Sequence, residues 1–329
     1  MTAPVPSGPP SVTPSVTPRA RALRRPTVLH RIEYAAWRVF TGLLAPLGVR
    51  RAAQVAGVIG TWGYSPFGIR RGVVERQIAA AFPDFDQARV HEVARESYRN
   101  LGRVTVEATV LASIGPEHAI PLFHDCPEDW GRLVAAHGQG KGVVLVAGHV
   151  GSWELAAAYM CARGLPIAGI VRGASNPLAE AYFKRTRERL GVTVVHDSEA
   201  VRRVPRLLRD GQVVGFLSDQ AAVGLASTYV NFFGRPAKTP RGGAVFALRG
   251  DIPVVFVAAM RQPDGQYRLV VEDVPVTHTG DRERDVDDIM IRFTAMLERL
   301  VRAYPEQYFW QHRRWKHQPP DTPPELRQP

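Results

Sequence analysis

The chain contains few of the residues that several common functions require. Cysteine occurs only twice in 329 residues, at Cys126 and Cys161. Two thiols so far apart predict neither the disulfide framework of a small secreted domain nor the clustered ligands of a zinc site. The sequence therefore predicts a protein of a reducing compartment, without a redox function, without zinc and without any other bound metal.

Apolar stretches long enough to cross a membrane are also missing. Residues 32–64 are rich in apolar side chains, but Arg38, Pro46, Arg50 and Arg51 interrupt them before the roughly 18 uninterrupted residues of a spanning helix are reached. The pattern predicts two amphipathic helices, one on each side of Pro46. Such helices either lie on an anionic bilayer or pack on the rest of the protein, and the composition leaves both possibilities open.

Acidic residues are absent from residues 1–31. This segment is rich in Pro, Ser and Thr and carries five arginines. Its composition predicts a disordered basic tail. Because the segment lacks the apolar core of a secretory signal peptide, a cytoplasmic location is expected.

The whole chain is strongly basic, with a formal net charge of +11 and a sequence pI of about 10.1. Such a balance predicts an anionic partner. Charge alone does not distinguish nucleic acid from an anionic membrane surface, an acidic carrier protein or a phosphorylated ligand. The sequence has no helix-turn-helix, zinc module or aromatic RNA-binding motif, and its cations are scattered, so nucleic acid is not an expected partner.

The second half of the chain alternates between two kinds of segment. Short runs rich in β-branched residues, bounded by Gly, Pro or Asp, predict strands at 142–148, 166–172, 192–196, 213–219, 253–260 and 267–276. Helical patterns cover 70–113, 152–163, 178–190, 199–209, 239–249 and 285–303. This alternation predicts an α/β fold whose largely parallel central sheet is covered by helices, preceded by an N-terminal helical layer that faces a membrane.

The same patterns divide the chain into four parts. The predicted parts are a disordered basic tail at 1–31, a helical region at 32–113 that is a candidate for membrane association, an α/β domain at 114–318 and a disordered C-terminal tail at 319–329.

Polar side chains follow several of the predicted strands. His149 comes after the first strand, Arg172 after the second, and Asp219 and Gln220 after the fourth. In open α/β sheets, the carboxyl ends of the strands carry the functional groups. If a helix begins just after His149, Glu154 in its first turn can hold one imidazole nitrogen and leave the other as a general base. We therefore predict that His149 is the base and that Glu154 orients it.

Several blocks of the sequence resemble the lipid A biosynthesis acyltransferases, which belong to the lysophospholipid acyltransferase superfamily. The blocks are "GKGVVLVAGHVGSWE" at 140–154, "RERLG" at 187–191, "SDQ" at 218–220, "NFFGRPAKTPRG" at 231–242 and "QYFWQHRRWK" at 307–316. The resemblance implies transfer of a fatty acyl chain from a thioester, on acyl carrier protein or coenzyme A, to a hydroxyl of a membrane glycolipid such as a lipid A precursor. It also implies that no resident cofactor is needed and that the protein works at the cytoplasmic face of the inner membrane, in peripheral or monotopic attachment.

The matched motifs assign roles to individual residues. His149 with Glu154 corresponds to the family's His-x4-acid motif, and the last block is expected beside the same site. The matched blocks and the basic side chains near them supply the expected substrate-binding set, which comprises Arg172, Arg187, Asp219, Gln220, Phe233, Gly234, Arg235, Lys238 and Arg241.

Two alternatives remain at this point. One keeps the chemistry but changes the acceptor to another lipid, such as a phosphatidylinositol mannoside, a lysophospholipid or an aminolipid. The other is a non-catalytic basic protein that binds a membrane.

Overall fold

Six strands form the central sheet of the protein. The structure, a computed structural model, describes residues 25–221 and 224–329. The strands of the described part are Val143–Ala147 (β1), Ile167–Val171 (β2), Thr193–His196 (β3), Val213–Leu217 (β4), Ser227–Phe232 (β5), Arg235–Pro240 (β6), Val254–Arg261 (β7) and Tyr267–Asp273 (β8). The sheet has the order β3-β2-β4-β1-β7-β8, and β5 pairs with β6 separately. Only β8 runs antiparallel to its neighbour within the six-stranded sheet.

Helices surround this sheet. Those of the described part are Val28–Leu44 (α1), Gly48–Gly60 (α2), Arg71–Ala81 (α3), Gln87–Ile114 (α4), Pro127–His137 (α5), Trp153–Ala162 (α6), Pro177–Arg189 (α7), Ala200–Arg209 (α8), Gly242–Gly250 (α9) and Arg282–Ala303 (α10). The two helices predicted around Pro46 are confirmed as α1 and α2. The predicted α/β fold with a mostly parallel, helix-covered sheet is confirmed as well.

Two apolar cores lie on the two faces of the sheet. Side chains alternate along a strand, so Val144 and Val146 of β1 belong to one core and Val143 and Leu145 to the other. The first core is completed by α3, α8, α9 and α10, and we call this side the α8 face. The second is completed by α2, α5, α6 and the C-terminal half of α4, and we call it the α6 face. Because both faces are covered, β1 is an uninterrupted apolar run.

The β5–β6 hairpin was not predicted as strands. Its sequence contains two prolines and several polar residues, which the sequence patterns associate with loops. Phe233 and Gly234 form its two-residue turn, with φ angles of 51° and 71°. Two positive φ values are the geometry that two-residue hairpins prefer. The helix predicted at 239–249 begins later, at Gly242, because the preceding residues belong to β6.

Both ends of the chain differ from the prediction in the residues that the structure describes. Helix α1 begins at Val28, three residues before the predicted end of the tail, because Thr27 caps it and accepts a 3.2 Å hydrogen bond from the His30 backbone N–H. Residues 1–24 of that tail lie outside the described residues. At the other end, residues 319–329 lie against the hairpin, where Arg235 donates hydrogen bonds to two of their carbonyls, and this corrects the predicted disorder of that segment.

Candidate active site

His149 and Asp219 are placed side by side by the pairing of β1 with β4. The two strands are parallel neighbours in which Ala147 lies opposite Leu217. His149 and Asp219 each come two residues later, just beyond the carboxyl ends of the strands. An imidazole and a carboxylate therefore meet at the edge of the sheet where α/β proteins bind their ligands.

The Asp219 carboxylate holds His149 through two hydrogen bonds. Its Oδ1 is 2.7 Å from Nδ1 of the imidazole, and its Oδ2 accepts a 3.0 Å hydrogen bond from the His149 backbone N–H. Asp219 is only 1% exposed. Burial by itself raises the pKa of this carboxyl group, but the charge and hydrogen bonds of His149 outweigh burial and lower the pKa of Asp219 to about 2. Asp219 is therefore ionised at neutral pH and fixes the orientation of the ring.

Glu154 lies close to this pair in sequence but has a different partner. It is in the first turn of α6, as expected. Its carboxylate accepts hydrogen bonds from Arg187 of α7, with Arg187 Nη2 2.5 Å from Oε1 and Nε 3.0 Å from each oxygen. This corrects the prediction that Glu154 orients the imidazole, because Nδ1 of His149 is bonded to Asp219.

The Glu154–Arg187 pair is itself largely buried. The two side chains are 18% and 27% exposed. Burial lowers the pKa of the Arg187 guanidinium, but the charge of Glu154 and its hydrogen bonds more than compensate and raise that pKa above its ordinary value. The pair therefore fixes a permanent cation in the wall of the site.

A cavity of about 810 Å³ opens beside His149. This volume lies within the range of about 300–1,000 Å³ that is usual for ligand cavities. The wall is mostly aromatic and aliphatic, and includes Val104, Ile170, Phe183, Phe216, Val245 and Phe246. Its polar part contains His149, Glu154, Arg187 and Gln220, and the exposed Arg172 and Arg249 also line it. The cavity can hold an apolar chain with its polar end next to the imidazole.

The hairpin residues that were predicted to bind substrate are not among those that line this cavity. Phe233 is buried in the hairpin turn with Gly234. Arg235 bonds to carbonyls near the C-terminus, and the Lys238 carbonyl accepts a hydrogen bond from an arginine. Arg241 forms a 2.5 Å ion pair with a glutamate of α10. The structure thus brings together Arg172, Arg187, Asp219 and Gln220 from the predicted set, and gives the hairpin residues structural contacts.

The segment of residues 307–316, which we call the C-terminal segment, lies directly beside the turn of residues 148–151 that carries His149. The Phe309 backbone N–H donates a 2.9 Å hydrogen bond to the His149 carbonyl, and the Gly151 N–H donates one of 3.0 Å to the Gln307 carbonyl. Gly151 has a φ of +60°, and a Cβ there would lie 1.9 Å from a backbone oxygen of β7, so only glycine fits. The position expected for the last sequence block is confirmed.

Helix α3 holds the C-terminal segment in place through one buried amide. Nε2 of Gln77 donates to the carbonyls of Trp310 and His312, at 2.7 and 2.9 Å, and its Oε1 accepts a 2.8 Å hydrogen bond from the Arg314 backbone N–H. Gln77 is 1% exposed. Sequence reasoning did not select Gln77, because an isolated glutamine in a helix gives no sign of a contact more than 200 residues away.

The same segment brings two further ionisable groups close to Asp219. Arg314 is fully buried and donates 2.7 Å hydrogen bonds to the Lys238 carbonyl and to Thr239 Oγ1. Burial lowers the pKa of Arg314, and the charge of Asp219 opposes that shift. Burial likewise lowers the pKa of His312, to about 4, although Asp219 acts in the opposite direction. His312 is therefore neutral near pH 7.

The described part of the chain contains no cluster of three or more His, Cys, Asp or Glu side chains arranged to hold a metal ion. Among the helices of residues 25–221 and 224–329, none has the length and apolar character needed to span a bilayer.

The fold and the site define an α/β enzyme with a histidine–aspartate pair at the carboxyl edge of a parallel sheet, next to a largely apolar cavity. Sequence comparison identifies the class further, since the model of one family, described as bacterial lipid A biosynthesis acyltransferase, matches residues 22–317. The chain belongs to this family and is an O-acyltransferase. The resemblance found in the sequence blocks is confirmed.

Individual relatives are similar over most of their length. The chain is 26% identical over 254 residues to the lipid A biosynthesis palmitoleoyltransferase of Escherichia coli K12, covering 76% of this chain and 80% of the relative. It is 25% identical over 265 residues to a lipid A biosynthesis acyltransferase of Haemophilus influenzae, covering 78% and 81%. It is 24% identical over 256 residues to the lipid A biosynthesis lauroyltransferase of E. coli K12, covering 77% and 81%.

Proposed function

We propose that the protein transfers a fatty acyl chain from an acyl thioester to a hydroxyl of a membrane glycolipid of the lipid A type, with His149 as the general base. One observation carries this proposal. The imidazole is held by an ionised Asp219 in the wall of an apolar cavity large enough for an acyl chain. The names of the relatives support a lipid A precursor as the acceptor.

The proton transfers follow from the hydrogen bond at Nδ1. Asp219 keeps the proton on Nδ1, which leaves the lone pair on Nε2 free for a substrate in the cavity. Nε2 takes the proton of the acceptor hydroxyl as its oxygen attacks the thioester carbonyl carbon, and Asp219 stabilises the imidazolium that forms. When the tetrahedral intermediate collapses, the carbon–sulfur bond breaks and the imidazolium returns the proton to the thiolate. A thioester is already activated, so the chain's own residues suffice for this step.

The wall of the cavity suits both the acyl chain and the phosphorylated groups of such substrates. Its aromatic side chains accept the acyl chain, whose burial is favourable by roughly 0.8 kcal/mol for each methylene. Arg187, fixed by Glu154, supplies a cation near the imidazole, and the exposed Arg172 and Arg249 supply two more. Phosphorylated headgroups and donors match these charges.

Helix α1 provides the membrane contact in this proposal. Its inner face packs on α7, where Trp37 contacts Phe183 of the cavity wall. Its outer face carries a row of exposed apolar side chains, namely Val28 at 74% exposure, Leu29 at 62%, Ile32 at 60%, Val39 at 63% and Leu43 at 72%. Exposed arginines at 25, 31 and 38 lie on or beside the same helix. Apolar residues flanked by cations are typical of helices that lie in the surface of an anionic bilayer.

This arrangement supports entry of the lipid acceptor into the cavity from the side of α1. With α1 in the membrane surface, a lipid hydroxyl reaches the imidazole past α7. Peripheral or monotopic attachment at the cytoplasmic face of the inner membrane is part of this proposal, and the cations and the apolar row of α1 support it.

An acyl transfer assay tests the proposal directly. The purified protein is incubated with one acyl donor, dodecanoyl-acyl carrier protein or dodecanoyl-CoA, and with one acceptor at a time. The acceptors are a lipid A precursor, a phosphatidylinositol mannoside, a lysophospholipid and an aminolipid. Mass spectrometry then detects an acceptor whose mass has increased by one acyl group. We expect transfer to the lipid A precursor, and its loss in the folded variant His149→Ala.

The other outcomes correct specific parts of the proposal. Transfer only to one of the other lipids would replace the acceptor but keep the chemistry. Equal turnover by wild type and His149→Ala would reject the role of the imidazole.

A further inference from the structure

Helix α8 carries a row of arginines on its exposed face. Arg202, Arg206 and Arg209 follow one another at spacings of four and three residues, so they lie within about 60° of each other and extend over about 10 Å. All three are exposed, and the Arg206 side chain is 81% exposed. The opposite side of the helix is anchored in the core by buried leucines and a valine. We call these three residues the α8 stripe.

The positive charge of the α8 stripe is largely uncompensated. Arg206 has one carboxylate partner, Asp210, at 3.8 Å, and both side chains are exposed. Pairs of this kind contribute less than about 1 kcal/mol and are easily exchanged for another partner. Within residues 25–221 and 224–329, Arg202 and Arg209 take part in no ion pair. The stripe is therefore available to an anionic surface.

The α8 stripe begins at the edge of the cavity. Ala200 and Val201, at the start of α8, line the cavity, and Val201 is 76% exposed. A ligand held at Arg202 is thus within one helical turn of the opening, and Arg206 and Arg209 lie farther along the helix. The stripe and the cavity form one continuous surface, cationic outside and apolar inside.

Helix α8 lies on the other side of the sheet from α1. The buried side chains of α8 belong to the core of the α8 face. In contrast, Trp37 and Phe40 of α1 pack on the core of the α6 face. A bilayer that contacts the outer face of α1 therefore leaves α8 facing away from it.

The shape of the α8 stripe selects among anionic ligands. A small molecule gains most of its affinity from being enclosed in a concave site. The three arginines stand on a convex, exposed helix and are not among the residues that line the cavity. A row of cations on a rigid helix instead matches a row of carboxylates on another protein, and such pairing speeds encounter and sets orientation.

We propose that the α8 stripe is the docking surface for an acidic acyl carrier protein, which delivers its thioester into the cavity past Val201. This inference rests on the proposed function, since it requires that the cavity receives an acyl thioester. The two substrates then enter from opposite sides of the sheet. The lipid acceptor arrives along α1 and the donor along α8, so neither has to leave before the other binds.

Charge reversal on α8 tests the docking surface. In detergent micelles, the double variant Arg202→Glu/Arg206→Glu is expected to raise KM for dodecanoyl-acyl carrier protein by about tenfold or more, because like charges then face each other. Its kcat/KM for dodecanoyl-CoA should stay within about twofold of wild type. The matched control is Arg185→Glu/Arg189→Glu on α7, which has the same charge change and the same spacing and should leave both values unchanged.

Direct binding separates this inference from the proposed function. Fluorescence anisotropy of labelled holo-acyl carrier protein should show binding to the wild type that weakens about tenfold in the α8 variant, even if no acceptor lipid is turned over. An equal loss of activity with dodecanoyl-CoA, or unchanged binding of the carrier protein, would overturn the docking surface. So would loss of binding to anionic vesicles in the α8 variant with carrier binding intact, because the stripe would then serve the membrane.

Discussion

At the scale of single residues, the orientation of His149 depends on Asp219, a hydrogen-bond partner that the spacing of residues in the sequence did not identify. His149 was found because it follows a predicted strand, and Asp219 because it follows another. That the two are hydrogen-bonded to each other depends on the register of β1 and β4, which sets Ala147 against Leu217. Register is a property of paired strands and cannot be derived from either strand alone. Glu154, five positions from His149, was the nearer candidate but has Arg187 as its partner.

Replacing Asp219 should therefore disable the base without removing it. Asp219→Asn is expected to lower kcat by a factor on the order of 10²–10⁴, because the amide can present its N–H to Nδ1 and so favour the wrong tautomer. Steady-state kinetics of acyl transfer measures the loss, and circular dichroism checks that the variant is folded.

The control is a double-mutant cycle with His149→Ala. If Asp219 acts through the imidazole, Asp219→Asn should have no further effect once His149 is gone. Independent, multiplicative losses would show that Asp219 has some other role.

At the scale of elements, the sequence predicted all six strands of the main sheet but not the hairpin. Strands such as β1 and β7 are buried on both faces and are therefore continuous apolar runs. The β5–β6 pair is held by its turn and by contacts with α10 and the C-terminal segment, which a local pattern does not contain. Helix α5 was missed as well. The hairpin thus depends on tertiary contacts, whereas α5 carries local helix signals, with Pro127 at its first position and Glu128 and Asp129 in its first turn.

The exposed row on α1 should be required for membrane binding. Ile32→Glu/Leu43→Glu places two charges in its outer face and is expected to reduce co-sedimentation with vesicles of anionic phospholipid by about tenfold, because each charge must be transferred into the interface. Thermal unfolding should change little, since both side chains are already exposed at 60% and 72%.

A matched control is available on other helices. Combined in one double variant, Val134→Glu on α5 and Ile291→Glu on α10 introduce the same two charges at apolar side chains that are 43% and 53% exposed. The vesicle binding of this variant should stay near that of wild type. If it loses binding equally, net charge rather than the row on α1 controls the attachment.

At the scale of the whole molecule, stability should depend on pH through His312. Its pKa is about 4 in the folded protein, below the ordinary histidine value of about 6.5, so the unfolded chain binds a proton first as the pH falls. The stabilisation from neutral His312 is thus complete above about pH 6.5 and is lost as the pH falls towards 4. We expect a decrease of roughly 2–3 kcal/mol in the free energy of unfolding over this interval.

Urea denaturation at a series of pH values measures this decrease. In His312→Gln, the free energy of unfolding should fall much less between pH 6.5 and 4 than it does in the wild type. The control His278→Gln, at a histidine side chain that is 54% exposed, should retain the wild-type decrease. An unchanged profile in His312→Gln would show that other groups cause the acid sensitivity.

The contacts of the C-terminal segment also bear on how the protein is made. The carbonyl of His149 is bonded to Phe309, and the backbone of Arg314 is bonded to Gln77. While the ribosome is still adding these last residues, the turn that carries His149 lacks its hydrogen bonds to the C-terminal segment, even if the sheet has already formed. A nonsense mutation shortly before codon 307 would for the same reason give a product that keeps most of its mass and helix α1 but has no catalytic turnover.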